Sequence, residues 1–112
     1  MQGADRRTAQ RYVLGDLGLE INGVWHDTVD ISNRSVAVVA QPNIDYAATR
    51  VQARFVSGGI AELNREVLTL HVTGMRRSRV ILDYTVADRD WEALLKKHDV
   101  ANDMPLLEDV FG

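Results

Sequence analysis

Apolar and polar residues alternate along much of the chain, and the period is that of strands. Leu17, Leu19 and Ile21 are interleaved with Gly18, Glu20 and Asn22, the signature of a strand with one buried face. Asn22-Gly23 follows at once, and both residues tolerate the positive φ of a tight hairpin turn. This predicts a return strand over Val24 to Ile31 and a third over residues 36–40, with a turn at Pro42-Asn43. Val51, Ala53 and Phe55 alternate with Gln52, Arg54 and Val56 up to a turn at Ser57-Gly58-Gly59. A fifth strand is expected over 66–73, with Val67 and Thr69 on one face and Leu68 and Leu70 on the other. Gly74 then permits a bend, residues 75–79 read as an arginine-rich loop, and residues 80–84 read as a last strand. Five or six short strands separated by turn signals predict a mainly β fold, an antiparallel barrel or sandwich. Closure would remove the unpaired edges of so small a sheet.

Only near the C-terminus does the period change. Trp91, Leu94, Leu95 and His98 fall on one helical stripe suited to packing on the barrel. Asp88 is placed to cap that helix, Asp90 and Glu92 suit its first turn, and Lys96, Lys97 and His98 its last. Beyond it, residues 101–112 form an acidic tail that still holds Met104, Leu106, Leu107, Val110 and Phe111. The chain of 112 residues reads as one domain, with a core from about residue 5 to 98, a flexible arginine-bearing arm over 1–11 and the tail.

Composition narrows the function classes. At 46% hydrophobic and 26% charged the chain has a globular balance, and with no cysteine it forms no disulfide or thiolate metal site. No apolar run approaches the roughly 18 residues of a membrane span, and none follows the N-terminal arginines. A cytoplasmic protein without membrane insertion is expected. The net charge of -3 argues against DNA or RNA as a partner. Its distribution is uneven: Arg6, Arg7 and Arg11 face only Asp5 in the first twelve residues, while eight acids oppose three bases from Asp83 onward. Eleven of the thirteen basic residues are arginine, whose planar fork binds phosphate bidentately and stacks on rings.

Two motifs frame the first hairpin. Ahead of it, Arg7 and Arg11 form an R-x-x-x-R pair; at its end, Asp30-Ile31-Ser32-Asn33-Arg34-Ser35 approximates D-x-S-x-x-G. In this order, on this strand framework, they resemble the PilZ family of cyclic di-GMP receptors, over a stretch from about Asp5 to His98. The resemblance implies a small antiparallel six-stranded β-barrel of Greek-key or split type with a C-terminal α-helix, and a bacterial second-messenger receptor whose ligand, cyclic di-GMP, is bound by Arg7, Arg11, Asp30 and Ser32, with Arg6 and the Ser35 position as lesser contacts. The chemistry of those residue types agrees. Guanine O6 and N7 match an arginine fork, and its N1–H and N2–H₂ match a carboxylate. Asp30 and Ser32, two apart on a strand, would face one ligand, and the arm arginines would close over phosphate or base. Such a receptor would reorder its arm on binding and so regulate a partner protein or an attached effector domain. No cofactor, metal or catalysis is expected.

One position departs from the motif: Ser35 stands where the family has glycine, and a positive φ there would cost serine about 1 kcal/mol. The alternative is a degenerate interaction module that binds no nucleotide. Taken singly, Arg7 also suits a pair with Asp5, and Asp30 and Ser32 suit turn residues bonded to local backbone. Trp25 and Trp91 are expected in the core or under the helix. His26, His71 and His98 lie in no metal-ligand spacing, and Arg76, Arg77 and Arg79 read as a solvated cluster, with a second-ligand or partner contact as the lesser reading.

Overall fold

The structure, a computed structural model, describes residues 10–100. Arg6, Arg7 and the 101–112 tail lie outside the described residues. Among the described residues, six strands, β1 (Leu17–Ile21), β2 (Val24–Ile31), β3 (Ser35–Val39), β4 (Arg50–Ser57), β5 (Leu68–Arg76) and β6 (Arg79–Asp83), precede one α-helix, α1 (Trp91–Lys97), and a short 3-10 turn spans Ala61–Leu63. Every strand pairing is antiparallel, and the order around the sheet is β1-β2-β3-β6-β5-β4, closed by pairing of β4 with β1. The expected six-stranded barrel with a C-terminal helix is therefore observed. No helix among the described residues is long and apolar enough to cross a membrane.

The inward face follows from the alternation. Leu19, Ile21, Phe55, Leu70, Val80 and Leu82 are fully buried, each side chain contributing about 1.5–3 kcal/mol of transfer free energy. Asn22 and Gly23 adopt φ of 52° and 84°, as the hairpin signal required. Helix α1 adds Trp91 and Leu95 to the same core; the Trp91 ring lies 5.2 Å from Phe55 and edge-on to Tyr84. The Arg65 guanidinium lies over the Trp91 ring, 4.5 Å from its centre, while its Nη2 donates to Asp88 at 2.9 Å.

Several boundaries differ from expectation for identifiable reasons. Asp88 does not cap α1: its Oδ1 accepts from the Asp90 backbone N–H and its Oδ2 from Arg65, so it shapes the turn ahead of the helix. Strand β5 does not bend away at Gly74 but runs on to Arg76, because β6 supplies partners through Met75 and Arg76. The arginine-rich loop shrinks to Arg77 and Ser78, with Arg77 at φ 60°. Trp25 is 41% exposed on the barrel exterior, donating to Asp27 Oδ1 at 2.8 Å, and not in the core. It lies over Gly18, where an added Cβ would fall 2.1 Å from the indole ring, so the missing side chain makes room for the exterior tryptophan. His26 is fully buried and satisfied, bonded to the Val24 carbonyl at 2.8 Å and the Tyr46 hydroxyl at 2.6 Å.

Two irregularities in register decide which side chains face outward. Thr28 pairs with Val38, yet Asp30 pairs with Ala37, so Val29 is an extra residue on β2. Likewise Val72 pairs with Leu82 and Gly74 with Ile81, leaving Thr73 extra on β5. Each bulge shifts the alternation by one, so residues beyond it change face.

Candidate functional site

The site begins with a single bridge. Tyr12 N–H donates to the Ile31 carbonyl at 2.7 Å, and Ile31 N–H donates back to Tyr12 at 2.8 Å. This antiparallel pairing sets Arg11 beside the end of β2, opposite Ser32. The buried Tyr12 side chain fixes that register, since a shift of one residue would expose it.

Arg11 then joins the three specified positions of the second motif, Asp30, Ser32 and Ser35. Its Nε and Nη2 donate to Asp30 Oδ1 at 3.1 and 2.6 Å, and its Nη1 donates to Ser32 Oγ at 3.2 Å and Ser35 Oγ at 2.5 Å. Asp30 reaches this fork from the exterior because the Val29 bulge has turned it outward. Counting by twos from the buried His26 would have placed it inside. Arg11 and Asp30 are 37% and 33% exposed at their side chains, so their ion pair is water-screened and worth at most about 1 kcal/mol. Asp30 Oδ2 accepts no hydrogen bond among the described residues.

Ser32 lies just past the end of β2 and is buried. Its Oγ accepts from the backbone N–H groups of Arg34 and Ser35, both at 3.1 Å, so it organises the turn as well as meeting Arg11. The turn role expected of Ser32 is thus observed, and the same hydroxyl also meets Arg11. Its carbonyl accepts from the buried Tyr84 hydroxyl, which in turn accepts from Trp91 Nε1 at 2.6 Å. Burial pushes the Tyr84 hydroxyl pKa far above its usual value, so it stays neutral. The turn is tied to α1 again by Glu92, which accepts from Asn33 Nδ2 at 3.3 Å and from the Tyr12 hydroxyl at 3.2 Å.

Ser35 is not at positive φ. It is the first residue of β3, in register with Asp83, so the expected backbone strain is absent. What serine changes is chemistry: its Oγ gives Arg11 a partner that glycine lacks.

Beside this network is a cleft of about 280 Å³ lined by Arg11, Asp30, Ala37, Arg76, Arg79 and Ile81. The lining follows the register across the barrel exterior: Asp30, Ala37, Ile81 and Gly74 form one row, and Arg79 and Arg76 lie opposite each other in a neighbouring row. The sequence makes Arg76 and Arg79 a solvated cluster first and a ligand or partner contact only second. Three arginines in four positions were legible, but the Thr73 bulge that turns Arg76 to this face was not.

Among solved structures, an uncharacterized protein from Legionella is similar, with a TM-score of 0.60 and 16% identity, over 83% of this chain and 95% of that one. That likeness speaks for the barrel and not for what it binds. No protein-family model matches the chain, and no curated protein does.

Proposed function

We propose that this protein is a cytoplasmic, PilZ-like receptor for the bacterial second messenger cyclic di-GMP. The observation carrying this reading is that Arg11, from one motif, bonds directly to Asp30 and Ser32 of the other. Residues separated by a whole hairpin meet at one point, open to solvent at Arg11 and Asp30, where their chemistry suits guanine and phosphate. In the proposed complex, Asp30 Oδ2 accepts from the guanine N1–H and N2–H₂ edge, while Arg11 turns part of its fork to O6/N7 or phosphate. Arg7 and Arg6, outside the described residues, close over the ligand from the arm. The Tyr12 bridge and Glu92 then carry the change in the arm to α1 and to a partner protein or attached domain. The reading assigns no catalytic role and no cofactor.

Calorimetric titration with cyclic di-GMP tests it. The wild-type chain is expected to bind at micromolar concentrations, and Arg11→Ala and Asp30→Ala each to weaken binding by about tenfold to a hundredfold. Absence of any heat from a folded wild-type protein refutes the reading.

One observation favours a second reading. The 2.5 Å bond from Arg11 to Ser35 Oγ completes a network that satisfies the fork without ligand, as a degenerate interaction module would have it. A partner bound equally by wild type and Arg7→Ala/Arg11→Ala protein, irrespective of cyclic di-GMP, would establish that alternative.

A further inference from the structure

The cleft beside Arg11 has a far wall that the two motifs do not contain. Arg76 and Arg79, at the facing ends of β5 and β6, are both exposed and directly opposite in register. Like charges so placed repel and destabilise a strand pair. No ion pair or hydrogen bond among the described residues engages either side chain. Arg11, by contrast, is already neutralised by Asp30.

The floor between these walls is low. It consists of Ala37 and Ile81, and the same row ends at Gly74, where an added Cβ would meet nothing within 4 Å. A planar group can therefore lie against the strands there. From β2 to β5 the row crosses three strand spacings, or about 14 Å, enough for a ligand with anionic groups on opposite sides. Charge agrees with size: three arginines against one aspartate leave the lining two positive charges in excess. The chain as a whole is negative, so this excess is local. Both walls exist because of bulges, the one at Val29 turning out Asp30 and the one at Thr73 turning out Arg76.

We propose that Arg76 and Arg79 form a second phosphate-binding wall, holding one phosphate of a cyclic dinucleotide whose other side rests on the Arg11–Asp30 wall. This rests on the cyclic di-GMP reading above and adds residues that neither motif supplies. A ligand with two phosphodiesters matches the two excess charges, and bound phosphate removes the repulsion between the two arginines.

The test is titration of cyclic di-GMP into wild type, Arg76→Gln, Arg79→Gln, the double variant, and Arg89→Gln as an exposed charge control away from the cleft. Each single variant is expected to bind about tenfold more weakly and the double variant still more weakly, with a shallower salt dependence. Arg89→Gln should bind within twofold of wild type. Circular dichroism should show the double variant folded, with an unchanged or higher melting temperature. Wild-type binding retained within twofold by the folded double variant overturns the second wall while leaving the receptor reading intact. Failure of wild type to bind overturns both.

Discussion

Tyr84→Phe probes the link between core and site most directly. The tyrosine is 6% exposed, and its hydroxyl bonds two buried groups, the Ser32 carbonyl and Trp91 Nε1. Phenylalanine keeps the ring and its edge-on contact with Phe55 at 5.0 Å, so no large cavity forms. What is lost is hydrogen bonding: one acceptor and one donor are left unpaired in the interior, each costing about 1–3 kcal/mol. Sparing the hydroxyl its own desolvation offsets part of this, giving an expected loss of about 2–4 kcal/mol. Against a typical domain stability of about 5–15 kcal/mol, that is a large fraction. Urea unfolding followed by tryptophan fluorescence measures it, because Trp91 is 2% exposed and must enter water. A loss below about 0.5 kcal/mol would refute the reasoning, since it would mean that neither buried group depended on the hydroxyl. The alkaline limb gives a second readout. Burial raises the Tyr84 pKa in the folded state, whereas the unfolded chain releases that proton near pH 10. The folded state holds the proton more tightly, so this contribution is complete below about pH 10 and is lost as pH rises further. Tyr84→Phe should lack that component of the alkaline decline.

Two further substitutions address the surface. Ser35→Gly removes the Oγ partner of Arg11 at a position without positive φ. It should cost about 1 kcal/mol or less in stability while tightening cyclic di-GMP binding by freeing the fork, and unchanged or weaker binding in calorimetry would count against competition at Arg11. Gly18→Ala places a methyl group where the Trp25 indole rests. The exposed ring should swing aside, red-shifting the emission at a stability cost of about 1 kcal/mol or less, and an unaltered spectrum would contradict that packing.

The barrel was legible because its causes are local. Period-2 alternation in β1 and β4, Asn22-Gly23 between β1 and β2, and the apolar stripe of α1 each specify their element within a few residues. Errors fell where pairing partners outweighed local signals. Gly74 and the arginines after it suggest a break in the chain, but β6 continues the ladder through them. The meeting of Arg11 with Asp30 and Ser32 was legible through a motif resemblance, while Arg76 and Arg79 had no such guide.

What the sequence determined by itself was the set of strands, the tight first hairpin, the helix and the residue types able to meet guanine and phosphate. Which of those residues share a surface was decided only in the folded barrel. Alternation alone assigns Asp30 to the face of His26 and Arg76 to the face of Leu70, both of which are buried. A single extra residue at Val29 and another at Thr73 reverse those assignments. A bulge exists only relative to a paired strand, β3 for one and β6 for the other, and both partners come later in the chain. The outward aim of the site is thus a property of tertiary pairing, written in no local pattern.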